Sequence, residues 1–296
     1  MNQKRMKKVL EGYRLEMEDY FSAALQEETI PEGLARAMRY SLLAGGKRVR
    51  PVLCMAWHEL LGGNREDILG FAAALELIHT YSLVHDDLPA MDDDDTRRGQ
   101  PSNHARFGEA LAILAGDGLL TEATHLLLSP QISPSRVLSA SREVIRAAGP
   151  RGMVGGQVLD MGLSGEPPRD MEQLKTMHGM KTGAMLRASC TSGALLAGTP
   201  SGDLQRAGTY GAHLGLAFQV ADDILDLEGD EQKLGKPVGS DQKMDKSTYP
   251  ALLGLEASRK MGQELSESAI RALEGYSGEV ADFLADLARY VIQRTE

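Results

Sequence analysis

Cysteine is nearly missing: Cys54 and Cys190 are the only two in 296 residues. Two distant cysteines make neither a disulfide framework nor a metal motif, and their small or apolar helical surroundings suit reduced, buried thiols. No apolar run approaches the roughly 20 residues of a membrane span. The basic start, Met1 to Lys8, is not followed by an apolar core of signal-peptide length, so a cytoplasmic protein without a membrane span is expected. Basic charge is in deficit. A formal net charge of −10 disfavours nonspecific nucleic-acid binding, although a local basic cluster can still take an anionic substrate. No Pro/Gly/Ser-rich linker interrupts the chain. A length rule alone would suggest about two domains, but a single domain over 1–296 is expected. Sustained period-two alternation is absent, which excludes a sheet protein, and no fixed-period repeat points to a solenoid. No Ser/His/Asp or Cys/His nucleophile set is apparent.

What is present is helical spacing. Met6, Val9, Leu10, Tyr13, Met17, Tyr20, Phe21, Ala24 and Leu25 recur at threes and fours, predicting an amphipathic helix over 6–27. Pro31 suits the start of a second helix, broken at Gly45-Gly46. Further helices are expected from Pro51 to Gly62, from Arg65 to Leu88 before Pro89, over 108–128, 134–148, 171–196 and 203–227, and in two C-terminal stretches, 250–273 and 279–294. A Gly-rich apolar piece spans 153–163, and a polar loop is expected at 229–248. The fold class is all-α, a bundle of about ten or more helices.

Two acidic clusters stand out. Asp86, Asp87 and Asp92 to Asp95 fall within ten positions, directly after an apolar helical segment, with Arg97 and Arg98 following. Carboxylates this close repel one another, so a positive group is expected among them. An all-oxygen ligand set points to Mg²⁺, which takes one or two carboxylates plus substrate phosphates. A solvated acidic loop would read the same way. Asp86 and Asp92 are about 240° apart on an ideal helix, but a break at Pro89 lets the chain fold back and present both. Far downstream, Asp222 and Asp226 are four apart and share a helix face, whereas Asp223 lies about 100° away. Such pairs also decorate ordinary surface helices.

Asp86-Asp87 with Asp92 and Arg97-Arg98-Gly99, and Asp222-Asp223 with Asp226, resemble the two aspartate-rich motifs of the trans-prenyl diphosphate synthases. Gly45-Gly46-Lys47-Arg48 with Arg50 and Pro51 resembles the family's isopentenyl diphosphate site. Lys181-Thr182-Gly183 and Phe218-Gln219 resemble its allylic and carbocation site. Gly235-Lys236 and Asp245 to Pro250 resemble its C-terminal lysine elements. Five motifs in order cover essentially the whole chain, closest to the bacterial-type farnesyl diphosphate synthases.

The resemblance implies helices around a central cavity and a Mg²⁺-dependent prenyl transfer, with three ions when the allylic diphosphate is bound. It implies Asp86, Asp92 and Asp222 as metal ligands, with Asp87, Asp223 and Asp226 as weaker candidates. Arg97, Lys181 and Lys236 would meet the allylic diphosphate, Lys246 would be a further substrate-binding residue, and Gly46, Lys47, Arg50, His79 and Arg98 would hold isopentenyl diphosphate. Arg97 can instead simply pair with Asp93 to Asp95. Gly45-Gly46 serves equally as a helix-breaking turn and Lys47-Arg48 as a solvated end, and a lone His79 is often a core histidine. A distortion near Gly183 can release a backbone carbonyl. With Thr182 and Gln219 it would offer neutral dipoles to a developing cation.

Tyr81 lies about 7.5 Å along the helix from Asp86 and Ser82 one turn below it. In the family, a large aromatic at that fifth position goes with short, chiefly C15 products. Farnesyl diphosphate is therefore expected, with geranylgeranyl or geranyl diphosphate as alternatives. A noncatalytic regulatory subunit is a different-class alternative, which the intact aspartates and arginines argue against. The family also implies a homodimer, with 108–128 as the candidate interface.

Overall fold

The computed structural model describes residues 3–25, 30–163, 170–228 and 247–293. Fourteen α-helices make up about three quarters of the described residues. They are α1 (Gln3–Ala23), α2 (Glu32–Leu42), α3 (Val49–Leu60), α4 (Leu69–Asp86), α5 (Asn103–Phe107), α6 (Glu109–Leu127), α7 (Pro134–Ala148), α8 (Met153–Asp160), α9 (Met171–His178), α10 (Ala184–Ala197), α11 (Ser201–Glu228), α12 (Tyr249–Leu253), α13 (Leu255–Arg271) and α14 (Glu279–Gln293). The all-α expectation holds.

Four local features depart from it, each with a cause. The helix expected from Arg65 opens as a 3₁₀ turn, Arg65–Ile68, capped by the Asn64 side chain, which accepts from Glu66 N–H. The stretch 171–196 is not one helix: a π-helical turn, Gly179–Gly183, separates α9 from α10. The stretch 250–273 divides at Gly254, whose φ of 82° ends α12 and starts α13. A two-residue antiparallel hairpin, β1 (Thr96–Arg97) with β2 (Gln100–Pro101), closes the acidic loop. It is too short to show as alternation in the sequence.

α4 is the central helix. Eleven of its residues are buried, from Phe71 to Val84. Fully burying each large apolar side chain contributes about 1.5–3 kcal/mol, so α4 is held by its surroundings on every side, not along one stripe. It packs along α6, where Gly116 leaves room for the His85 ring and Gly118 for the Met38 side chain. A Cβ at Gly116 would overlap that ring. Opposite, α3 carries Trp57, packed edge-on to Tyr210 of α11 and Tyr276 at centroid distances of 5.6 and 6.0 Å. α1 closes that side, its Tyr13 donating to Glu59 at 2.7 Å and stacking on Phe283 of α14. Cys54 and Cys190 are free and buried.

Arg65–Asp86 and Glu109–Leu127 are each long and apolar enough to cross a membrane by length and composition. The first is mostly buried inside the protein and ends in Asp86. The second leaves Ile113, Leu114 and Leu120 exposed.

Candidate active site

α4 stops at Asp86, and the chain turns back on itself. Asp92 N–H donates to the Asp86 carbonyl at 2.8 Å, and the N–H groups of Met91 and Asp93 donate to Leu88 O at 2.8 and 3.2 Å. Asp93 takes a positive φ of 55° within this turn. Asp86 and Asp92 therefore stand together, as a break at Pro89 requires. Burial pushes the Asp86 carboxyl up to about 6; the Lys181 ammonium opposes this, and the Asp92 charge adds to it. Asp93 and Asp95 are exposed.

The hairpin carries the two arginines back over the mouth. Arg97 Nε donates to both carboxylate oxygens of Asp87, at 2.7 and 2.8 Å, and its guanidinium lies 3.6 Å from Asp94. Asp87, a weaker metal candidate from the sequence, is thus taken up as the anchor of Arg97. The arginine expected to face a diphosphate is held in an internal ion pair.

Arg98 turns the other way and donates to the Gly45 carbonyl. Gly46 takes φ 133°, and a Cβ there would lie 2.9 Å from the Arg98 guanidinium, which would have to shift. Here the Gly-Gly pair is needed for close approach as well as for the turn. Beside it lie Arg50 and His79. Burial holds Arg50 below its usual value, with only the Glu76 charge opposing and Arg98 adding to the depression. Arg50 Nε is buried with no hydrogen-bond partner among the described residues. Desolvation and the neighbouring Arg48 and Arg97 lower Arg98 as well. His79 is driven well below the ordinary histidine range by burial, then by Arg50 and Arg98, so it is neutral. Lys47 is exposed.

Arg48 is no solvated helix end. It is buried, bonded to Glu18 at 2.9 Å, Glu76 at 3.0 Å and the Leu42 carbonyl at 2.6 Å.

Lys181, Thr182 and Gly183 occupy the π-helical turn, which bears out the expected distortion. π-turns open the regular ladder and recur at functional sites. Two close approaches fix this one: a Cβ at Gly156 of α8 would run into the Lys181 backbone, and one at Gly215 of α11 would lie 2.8 Å from Gly183 Cα. Lys181 Nζ donates to Asp160 of α8 at 2.6 Å. Gln219, Asp222 and Asp226 follow Gly215 at helical spacing, on the face of α11 that meets the π-turn. Asp223 accepts from Tyr249 N–H at 2.8 Å and is 5% exposed, so it secures the start of α12. Asp226 is buried. Lys236 and Lys246 lie outside the described residues.

Between α4, α8 and the π-turn lies a cavity of about 340 Å³. Arg50, His79, Asp86, Lys181 and Thr182 are among its lining, together with Tyr81, Ser82, Met153 and Val158. Tyr81 is 7% exposed, its ring edge-on to His85 at 5.8 Å. Ser82 Oγ donates to the His79 carbonyl at 2.9 Å. Sequence reasoning passed over Gln157, which lines this cavity from α8, and Asp160, which holds Lys181 from the same helix. The available signal was two polar residues three apart in an otherwise apolar, glycine-rich segment.

The donor set suits Mg²⁺. Asp86 and Asp92 bring carboxylate oxygens together at the mouth, and Asp86 is raised by burial and a like charge, which a cation relieves. Among the described residues, no three His, Cys, Asp or Glu side chains form a cage for an ion by themselves. Mg²⁺ ordinarily shares its shell between one or two carboxylates, water and substrate phosphate.

The chain is similar to known proteins over most of its length. The polyprenyl synthetase family model matches residues 31–286. A farnesyl diphosphate synthase of Bacillus subtilis (strain 168) is 45% identical over 282 residues, 94% of each chain. A chloroplastic geranylgeranyl pyrophosphate synthase of Capsicum annuum is 46% identical over 276 residues, 92% of this chain and 75% of its own. The apo crystal structure of an FPP/GFPP synthase from Zymomonas mobilis superposes with a TM-score of 0.86 at 34% identity, covering 97% of this chain and 99% of the other.

Proposed function

This chain belongs to the polyprenyl synthetase family, and we propose that it joins isopentenyl diphosphate head to tail to dimethylallyl and then geranyl diphosphate, ending at (2E,6E)-farnesyl diphosphate. One observation carries the reading: a single cavity has Asp86, Lys181 and Thr182 on its wall, the under-neutralised Arg50 and His79 beside them, and apolar side chains with Tyr81 along the rest. An allylic diphosphate fits with its head at the acids and its tail along Tyr81. A second diphosphate fits against the basic recess.

In this reading Asp86, Asp92 and Asp222 hold Mg²⁺, with Asp226 in support. When bound, Mg²⁺ neutralises charge on the leaving diphosphate and so eases C–O cleavage. Lys181, held by Asp160, meets the same diphosphate, and Arg97 joins it if released from Asp87. Arg50, Arg98 and neutral His79, with Lys47 on the rim and the open backbone of Gly46, hold isopentenyl diphosphate. The C1–O bond of the allylic substrate breaks and its electron pair leaves with the diphosphate. The isopentenyl double bond attacks C1, and the diphosphate takes the proton lost in re-forming an alkene. The Thr182 hydroxyl, the Gln219 amide and the π-turn carbonyls offer dipoles to the cation without trapping it.

Tyr81 supports a C15 limit by narrowing the cavity. The Capsicum annuum relative favours a C20 product as the second reading. Exposed Ile113, Leu114 and Leu120 on α6 suit a homodimer interface. The protein is read as one polyprenyl synthetase unit over 1–296, acting in the cytoplasm.

Incubation with dimethylallyl and isopentenyl diphosphates and Mg²⁺, then chromatography of the dephosphorylated products, should give farnesol. Geranylgeraniol would overturn the C15 assignment, and no condensation product would overturn the enzymatic one.

A further inference from the structure

We propose that Gln157 is a catalytic residue whose carboxamide faces the first isoprene unit of the allylic substrate and stabilises the positive charge that develops there. The proposal rests on the prenyl-transfer reading of the cavity. Gln157 is 8% exposed, and neither its Oε1 nor its Nε2 has a hydrogen-bond partner among the described residues. A buried amide with both ends unpaired destabilises the fold. A leucine or methionine would suit the apolar neighbours Met153, Val154, Val158 and Met161 better, so the amide is explained by what enters the cavity it lines.

Its height in the cavity follows from α8. Asp160, three residues on and about 4.5 Å further along the axis, binds Lys181, whose ammonium acts on Asp86. That end of α8 is level with the charged head. In the other direction, Met153 lies about 6 Å away along the wall shared with Tyr81. Gln157 is therefore one turn below the diphosphate, level with C1 to C3 of the allylic chain. Gly156 seats α8 against the Lys181 backbone, so the amide keeps a fixed position relative to Thr182. When the C1–O bond breaks, positive charge spreads over C1 and C3. A neutral amide dipole aimed there stabilises it without forming the bond that a carboxylate would make.

The test compares wild type with Gln157→Met and Gln157→Glu by steady-state kinetics, thermal unfolding without substrate, and inhibition by two allylic diphosphate analogues. One analogue carries an ammonium in place of the cationic carbon, and the other is a neutral thio analogue. Gln157→Met should lower kcat about 100-fold, leave both KM values within about threefold, and hold or raise Tm. It should also weaken the ammonium analogue at least tenfold and spare the thio analogue. Gln157→Glu should also lose turnover while binding the ammonium analogue at least as tightly as wild type. An unchanged kcat in Gln157→Met overturns the proposal. So does a lower Tm with both analogues weakened equally, which marks a packing role. If wild type itself makes no prenyl product, the underlying reading fails, whatever the variants do.

Discussion

Arg48 and Arg50 stand two residues apart at the start of α3 and belong to opposite kinds of region. Arg48 is buried among Glu18, Glu76 and the Leu42 carbonyl, and these partners hold it charged, above its usual range. Arg50 faces Arg98 and a neutral His79, has no partner for its Nε among the described residues, and is held below its usual range. Both are withdrawn from water, Arg48 wholly and Arg50 in part, with its Nε enclosed. What differs is compensation. A buried charge with its partners in place is architecture, whereas one packed beside like charges is held ready for an external counter-charge. The acidic mouth repeats the second case with the sign reversed, since Asp86 is pushed up by burial and by Asp92.

The largest effect should come from the acidic side of that comparison. Asp86→Asn should lower kcat at least 1,000-fold, about 4 kcal/mol in the barrier. It should also stabilise the substrate-free protein by roughly 2 kcal/mol at pH 7.5. The sign follows from a folded pKa above the unfolded one: ionised Asp86 weakens the fold above pH 6, and that penalty fades as pH falls from 6 towards the model-peptide value near 3.8. Urea unfolding of both proteins across this range checks it, and a variant less stable at pH 7.5 would remove Asp86 from the uncompensated class.

Next comes Arg48→Met, which leaves Glu76 buried without its cation and should cost about 3–5 kcal/mol of stability. Its turnover per folded molecule should stay within a few-fold, as active-site titration alongside denaturation would show. Smaller again is Arg50→Met. It should raise KM for isopentenyl diphosphate about 10- to 100-fold, the 1.5–3 kcal/mol of a charge-assisted hydrogen bond, with stability held or improved. If the KM of the allylic substrate moved instead, the basic recess would belong to the other diphosphate. Least in energy is Tyr81→Ala, which should extend the product past C15 with kcat within a few-fold. Unchanged C15 by chromatography would clear Tyr81 of setting length.

Much of this was legible in the chain because it depends on short-range rules. The boundaries of α7 match the periodic stretch to the residue, since Pro134 opens it and Gly149 follows its last apolar turn. The fold-back of Asp92 onto Asp86 followed from Pro89, and the distortion at 179–183 from glycines in a helical pattern. Partnering was not legible. Nothing near Asp87 in sequence says that Arg97 will take both of its oxygens, and nothing near Arg48 names Glu18 and Glu76. Those pairs join positions 10 to 30 residues apart.

By itself, then, the sequence determined the helical class, the two acidic clusters and the glycine-basic turn, because periodicity, helix breakers and charge density act over a few residues. Only the tertiary structure decided which charges are spent inside the protein and which are left for substrate. It separated Arg48 from Arg50 and Asp87 from Asp86, and it placed Gln157 on the cavity wall without a hydrogen-bond partner among the described residues. The reason is physical: a side chain's energy depends on what it is buried against, and those neighbours come from other helices.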